Sequence, residues 1–214
     1  MKMNRSHDTR RQSGFSLLEM MIVLALTMIA TSITFMTLEP ALKQQRVTTS
    51  YNIVLSALRQ ARDNAVAQRT SYSVSFNAGA TPNTLTVAPT FAGFQGALNP
   101  VTYSLPTGVK FDNEPGIPNT NLTTPDRFGV GANPVDFGYT GQGVGLGGSA
   151  LIYFCPDGSA QDSPGCSGNV NNGVVYIARP GELLSSRAIS VWGATGRIRG
   201  WRLYTGGGPN WQRQ

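Results

Sequence analysis

The chain has 214 residues, a formal charge of +6 and only 13% charged side chains, beside 25 glycines and 13 prolines. That length holds one globular domain plus an appendage, and low charge with abundant turn residues suits an exported β-rich domain and argues against a cytosolic enzyme. The charge is uneven: residues 1–14 carry Lys2, Arg5, Arg10 and Arg11 against Asp8, residues 173–214 carry six arginines against Glu182 alone, and the stretch between is slightly acidic. A local basic surface near the C-terminus describes the chain better than a uniformly basic protein does.

Residues 1–14 are polar and basic, and residues 15–38, from Phe15 to Leu38, are almost wholly apolar with Glu19 as their one charge. As a helix rising ~1.5 Å per residue, such a run reaches ~36 Å, enough to cross a ~30 Å hydrocarbon core. The basic flank then stays cytoplasmic. A short apolar region with a small-residue cleavage site, the mark of an ordinary secretory signal, is missing. Glu19 argues against a plain anchor, because a carboxylate in a spanning helix costs at least ~2.5 kcal/mol and is presumed functional. It lies where the helix N-terminus offsets part of its charge.

The run Gly14-Phe15-Ser16-Leu17-Leu18-Glu19 resembles the processing site of class III prepilins. The resemblance implies that a prepilin peptidase cuts between Gly14 and Phe15, and that Phe15 becomes the N-methylated first residue. It implies too that Glu19, fifth in the mature chain, pairs with the N-terminal amine of a neighbouring subunit. Two charges stranded in lipid neutralise each other only when subunits meet. The implied partners are other pilins or pseudopilins, a prepilin peptidase and the inner membrane, with the head in the periplasm before assembly. The assembled subunit would lie in a surface pilus or a periplasmic pseudopilus. The single histidine, His7, falls in the leader, so the mature chain would lack the Ser-His-Asp and Cys-His arrangements and most zinc sites. No paired catalytic carboxylates stand out. The expectation is therefore no enzyme and no cofactor.

Pro40 is expected to kink or interrupt the helix. Beyond it Val47, Tyr51, Val54, Leu55, Leu58, Ala61 and Ala65 recur at three- and four-residue spacing, one apolar face of an amphipathic helix that ends near residue 69. Lys43, Arg46, Arg59, Arg62 and Arg69 fall mostly elsewhere and read as a solvated face. From residue 71 the period changes to two: Ser71-Tyr72-Ser73-Val74-Ser75-Phe76 alternates as a strand does. Further strands are expected at Thr84–Val87, Val101–Leu105, Val109–Phe111, Ala150–Phe154, Gly173–Ala178, Arg187–Trp192 and Arg197–Tyr204. Residues 112–148 read as long loops holding one or two strands near Phe128–Val130 and Val135–Tyr139. The fold class is α+β, with a leader over 1–14, a spanning or filament-core helix over 15–39, an amphipathic continuation over 40–70 and a β-rich head over 71–214. Two small antiparallel sheets are expected against the second half of the helix.

The later stretches Ile152–Ser159 (with Cys155-Pro156-Asp157-Gly158), Gly173–Ile177, Arg187–Val191 and Gly196-Arg197-Ile198-Arg199 resemble the GspH/FimT family of pseudopilins and minor pilins. That implies a type IV pilin-like fold, a long N-terminal helix packed on an antiparallel head. It also implies a minor subunit that primes or caps a type IV pilus, the alternative being the corresponding pseudopilin of a type II secretion system.

Cys155 and Cys166 are the two cysteines. An oxidising compartment favours a disulfide between them, while a metal or redox pair has the wrong spacing. Gly143 to Gly148 spells the dinucleotide fingerprint but precedes a strand rather than a helix, so it reads as a loop. Asp157 and Asp162 read as turn residues rather than calcium ligands, and the sequon at Asn121 reads as coincidence. The sharpest hypothesis concerns Arg197, Arg199 and Arg202 beside Trp201, Tyr204 and Trp211: guanidinium forks and stacking rings suit a nucleic-acid backbone. Gly-Arg-Ile-Arg also resembles a C-terminal motif of FimT-type minor pilins associated with DNA capture, which makes double-stranded DNA a candidate partner. The competing reading has these arginines bridge carboxylates of a neighbouring subunit and puts Trp192 and Trp201 in the core.

Overall fold

A computed structural model describes residues 15–91, 99–120, 127–129, 133–139 and 148–214, the side chains of residues 37 and 139 excepted. The expected leader with Gly14 and His7, the sequon at Asn121 and most of the Gly143–Gly148 stretch lie outside the described residues. The chain divides into two compact units, Met1–Leu42 and Lys43–Gln214.

A single long helix, α1 (Leu17–Gln68), has Pro40 inside it. The expected interruption does not occur. Proline removes one helical N–H bond, and its fixed φ is itself helical, so the bonds before and after it carry the helix through. In the first unit the large apolar side chains are exposed, from Phe15 at 75% to Met36 at 80%. Its hydroxyls bond back to the helix: Thr31 Oγ1 donates to the Thr27 carbonyl at 2.6 Å and Ser32 Oγ to that of Met28 at 2.9 Å. Thr27 and Thr34 bond back in the same way, and hydroxyls satisfied by their own helix suit a lipid or protein surrounding. The helix is long and apolar enough to cross a membrane.

Among the described residues the second unit holds the rest of α1 and eleven strands: β1 (Tyr72–Asn77), β2 (Thr84–Pro89), β3 (Val101–Ser104), β4 (Lys110–Phe111), β5 (Val135–Tyr139), β6 (Leu151–Phe154), β7 (Ala160–Gln161), β8 (Asn172–Arg179), β9 (Glu182–Trp192), β10 (Arg197–Thr205) and β11 (Pro209–Arg213). They form two antiparallel sheets, ordered β3-β2-β1-β6-β7 and β11-β10-β9-β8-β4, with β5 also on β8. The α+β reading holds. β1 alternates as expected, burying Tyr72, Val74 and Phe76.

The main core joins α1 to both sheets. Val47, Tyr51, Val54, Leu58, Ala61 and Ala65 are buried against Val74, Leu85, Ile152, Val175, Ile177 and Ile189, with Leu55 partly covered. These stem positions are the periodic ones, so helical spacing alone located the buried face. α1 stops at Gln68 because Arg69 turns to φ 51°, a left-handed helix end formed without glycine.

A second core lies on the other face of β8–β10. It gathers Ile117, Phe128, Val174, Tyr176, Ala188, Trp201 and Leu203, with Trp211 and Leu183 against it. β8 is thus covered on both faces, which explains its unbroken apolar run. Phe128 contributes from an isolated bridge position rather than from the expected strand, and Val130 lies outside the described residues. β9 starts five residues earlier than expected, at Glu182. Pro180-Gly181 makes a two-residue hairpin there, closed by Arg179 and Glu182 at 2.6 Å. β7 and β11 were not expected; β11 is a short edge strand opening on Pro209, an allowed place for proline.

Gly200 marks a close approach of β10 to the stem. A Cβ there would lie 1.5 Å from the Tyr51 hydroxyl oxygen. Gly200→Ala is expected to lose about 1–3 kcal/mol through overpacking, read as a lower denaturant midpoint with an unchanged m-value.

Candidate functional site

Two places carry the candidate residues. The first is the start of α1. Phe15 precedes the helix and is 75% exposed, and Met20 N–H donates to the Ser16 carbonyl at 3.1 Å. Glu19 occupies the first turn, where unpaired N–H groups and the helix dipole favour a negative charge. A carboxylate therefore sits at the third residue of α1, in a segment that is exposed and carries no other charge as far as Leu38.

Residues 9–35 match the prokaryotic N-terminal methylation motif. This supports a type IV pilin or pseudopilin, with prepilin-type processing, assembly with other pilins and anchoring in the inner membrane. No curated protein and no solved structure matches the chain.

The second place is β10, beyond the methylation motif. Its register with β9 is unbroken from Arg197 opposite Trp192 to Arg202 opposite Arg187. With no bulge at Gly200, Arg197, Arg199 and Trp201 share one face. That face is the side of the second core, and Arg213 joins it from β11 opposite Trp201. Partial burial, then the nearby Arg213, holds the Arg199 guanidinium below its ordinary pKa. Arg202 has the opposite parity. It faces the stem beside Arg187, with its guanidinium carbon 4.9 Å from the centre of the Tyr204 ring. The structure thus brings Arg197 and Arg199 together and sets Arg202 apart from them.

Arg197 also lines a groove with Arg59, Arg62, Asp63, Thr195, Gly196 and Ile198. Arg62 is fixed there, donating from Nε to the Gly158 carbonyl and from Nη2 to the Thr195 carbonyl, both at 3.2 Å. Helical spacing placed Arg59 and Arg62 on a polar face, but nothing local tied that face to β10. Gly196 has a structural task in this groove: its φ is 58°, and a Cβ would lie 2.1 Å from the Gly158 carbonyl oxygen.

The Asp157-Gly158 turn that receives Arg62 is built locally. Asp157 Oδ1 accepts from Ser159 N at 2.9 Å and Ser159 Oγ at 2.7 Å, and these bonds hold its carboxyl below the usual range. Asp162 is engaged separately, by Asn169 N at 2.9 Å. Cys155 and Cys166 form a disulfide with Cα atoms 5.8 Å apart. The bridge ties the loop after β6 back to the strand, and loop closure of this length stabilises by roughly 2–3 kcal/mol.

Trp201 is buried, and its Nε1 donates to Ser190 Oγ at 2.9 Å. It is a core residue rather than an exposed stacking platform. Trp192, half-buried beside Arg197, is the aromatic ring nearest to hand on this face of β9.

Proposed function

We propose that this chain is a minor subunit of a type IV pilus, with a head of the GspH/FimT kind. Residues 1–14 are the leader, 15–39 the filament-core helix, 40–70 its amphipathic continuation and 71–214 the head. Gly14 and Phe15 flank the cut, Phe15 is methylated, and Glu19 guides assembly. The role is structural, priming or capping the filament, rather than enzymatic. The observation that supports this best is the methylation motif on an exposed apolar helix with Glu19 in its first turn. A type II secretion pseudopilin shares that motif and is the second reading.

The pilus reading is extended by the arginines. Arg197, Arg199 and Arg213 share a face, and Arg59 and Arg62 continue the basic surface around the groove. Such a track fits the phosphates of double-stranded DNA. The expected result of titrating DNA onto the full chain in maltoside micelles is salt-sensitive binding. Arg197→Ala/Arg199→Ala should flatten the log–log salt dependence by about 1.8, two phosphate contacts at roughly 0.9 each. Arg202→Ala, on the opposite face, should leave it unchanged. Equal binding by wild type and double mutant would assign these arginines to subunit packing.

A further inference from the structure

Arg187 is an arginine that neither the assembly motif nor the DNA face uses. It is 2% exposed, on the stem side of β9. Its cross-strand neighbour on that face is Arg202. Like charges placed directly opposite repel, and a buried charge ordinarily has a counter-charge. Among the described residues, neither guanidinium has a carboxylate partner. Arg187 Nη1 donates to the Ser185 and Ser186 carbonyls at 3.2 and 3.1 Å. The Gln44 amide is assigned with its oxygen inward because only that orientation lets it accept from the facing donors, Arg187 Nη2 at 2.7 Å and Arg202 Nη2 at 3.3 Å. The Arg202 Nε is buried without a partner. Burial, then Arg202, pushes the Arg187 pKa down to about 10.

We propose that Arg187 and Arg202 form a carboxylate-binding site, in which Gln44 holds the place of the anion. Two Nη2 donors converge on one neutral oxygen of a side chain that is itself exposed to solvent. A carboxylate oxygen there would keep both hydrogen bonds and add the missing charge, and charge-assisted bonds to guanidinium are about twice as strong as neutral ones. Arg202 also offers its Nε, so a carboxylate with two oxygens uses donors that the amide leaves idle. Tyr51 and Tyr204 flank the pair, and the Tyr204 ring supports Arg202 from one side. The proposal stands on the head alone and does not depend on the pilus reading.

Supplying the carboxylate in place tests it. Gln44→Glu in the full chain, held in maltoside micelles, should raise the thermal midpoint by roughly 2–4 °C, and Arg202→Gln should cancel that gain. Replacing chloride by acetate at constant ionic strength should raise the wild-type midpoint saturably and leave Gln44→Glu and Arg202→Gln unmoved. Sedimentation then separates the sources of the carboxylate. Self-association that both acetate and Gln44→Glu weaken assigns it to a second copy of the chain, while acetate stabilisation with unchanged sedimentation assigns it to a small free carboxylate. A Gln44→Glu midpoint at or below wild type, or a wild-type response to acetate no larger than that of Arg202→Gln, overturns the proposal.

Discussion

Glu19→Gln is expected to yield a chain that inserts in the membrane and loses its leader, yet fails to enter filaments. The substitution removes one charge from a helix that is otherwise apolar across the membrane-spanning length, so insertion becomes easier by roughly 2–3 kcal/mol. A plain anchor would tolerate it or gain from it. A subunit whose carboxylate neutralises the amine of its neighbour loses that partner and strands the amine in a low-dielectric surrounding, where a lone charge is strongly disfavoured. The readout is the ratio of sheared filament to membrane-bound subunit, beside the leader-cleavage pattern on a gel. Normal incorporation of the Gln variant would remove Glu19 from assembly.

The second large effect concerns the head. Trp201→Ala should cost about 3–5 kcal/mol, the range for emptying a buried aromatic site. Trp201 is 2% exposed, and its ring centre lies 5.5 Å from that of Phe128, nearly edge-on. Phe128 in turn contacts Trp211 at 5.3 Å, and Trp211 Nε1 donates to the Pro118 carbonyl at 2.9 Å. Truncating Trp201 opens a cavity under this cluster and leaves the Ser190 hydroxyl without the indole donor. Because Phe128 and Trp201 touch, Phe128→Ala and Trp201→Ala should be less than additive. Urea unfolding of the two single variants and the double variant measures this. A loss below about 1 kcal/mol for Trp201→Ala would mean that the second core contributes little.

Much of this architecture was legible in local periodicity. Three- and four-residue spacing from Val47 to Ala65 named the buried face of the stem, and alternation over Tyr72–Phe76 named strand β1, whereas β5 was expected only as one of two short strands in a loop-rich stretch. The methylation motif was legible too, because basic leader, Gly14, Phe15, Glu19 and the apolar run are contiguous. What stayed hidden depends on residues far apart in the chain. Ile117 and Phe128 look isolated in a turn-rich stretch and acquire partners only when these two side chains pack on β8 and β10. Arg59 and Arg62 meet Arg197 only through packing of the stem on the β9–β10 turn. The division of the C-terminal arginines was readable in principle: 197 and 199 are odd and 202 is even, so an unbroken strand must send them to opposite faces. Proximity in sequence obscured that parity.

The most direct test of the central claim is intact-mass and N-terminal peptide analysis of the chain recovered from membranes that contain a prepilin peptidase. The account predicts a mature chain that begins at Phe15 and carries one methyl group on its amine, with Gly14→Val leaving the leader attached. A chain that keeps residues 1–14, or is cut elsewhere, would contradict it.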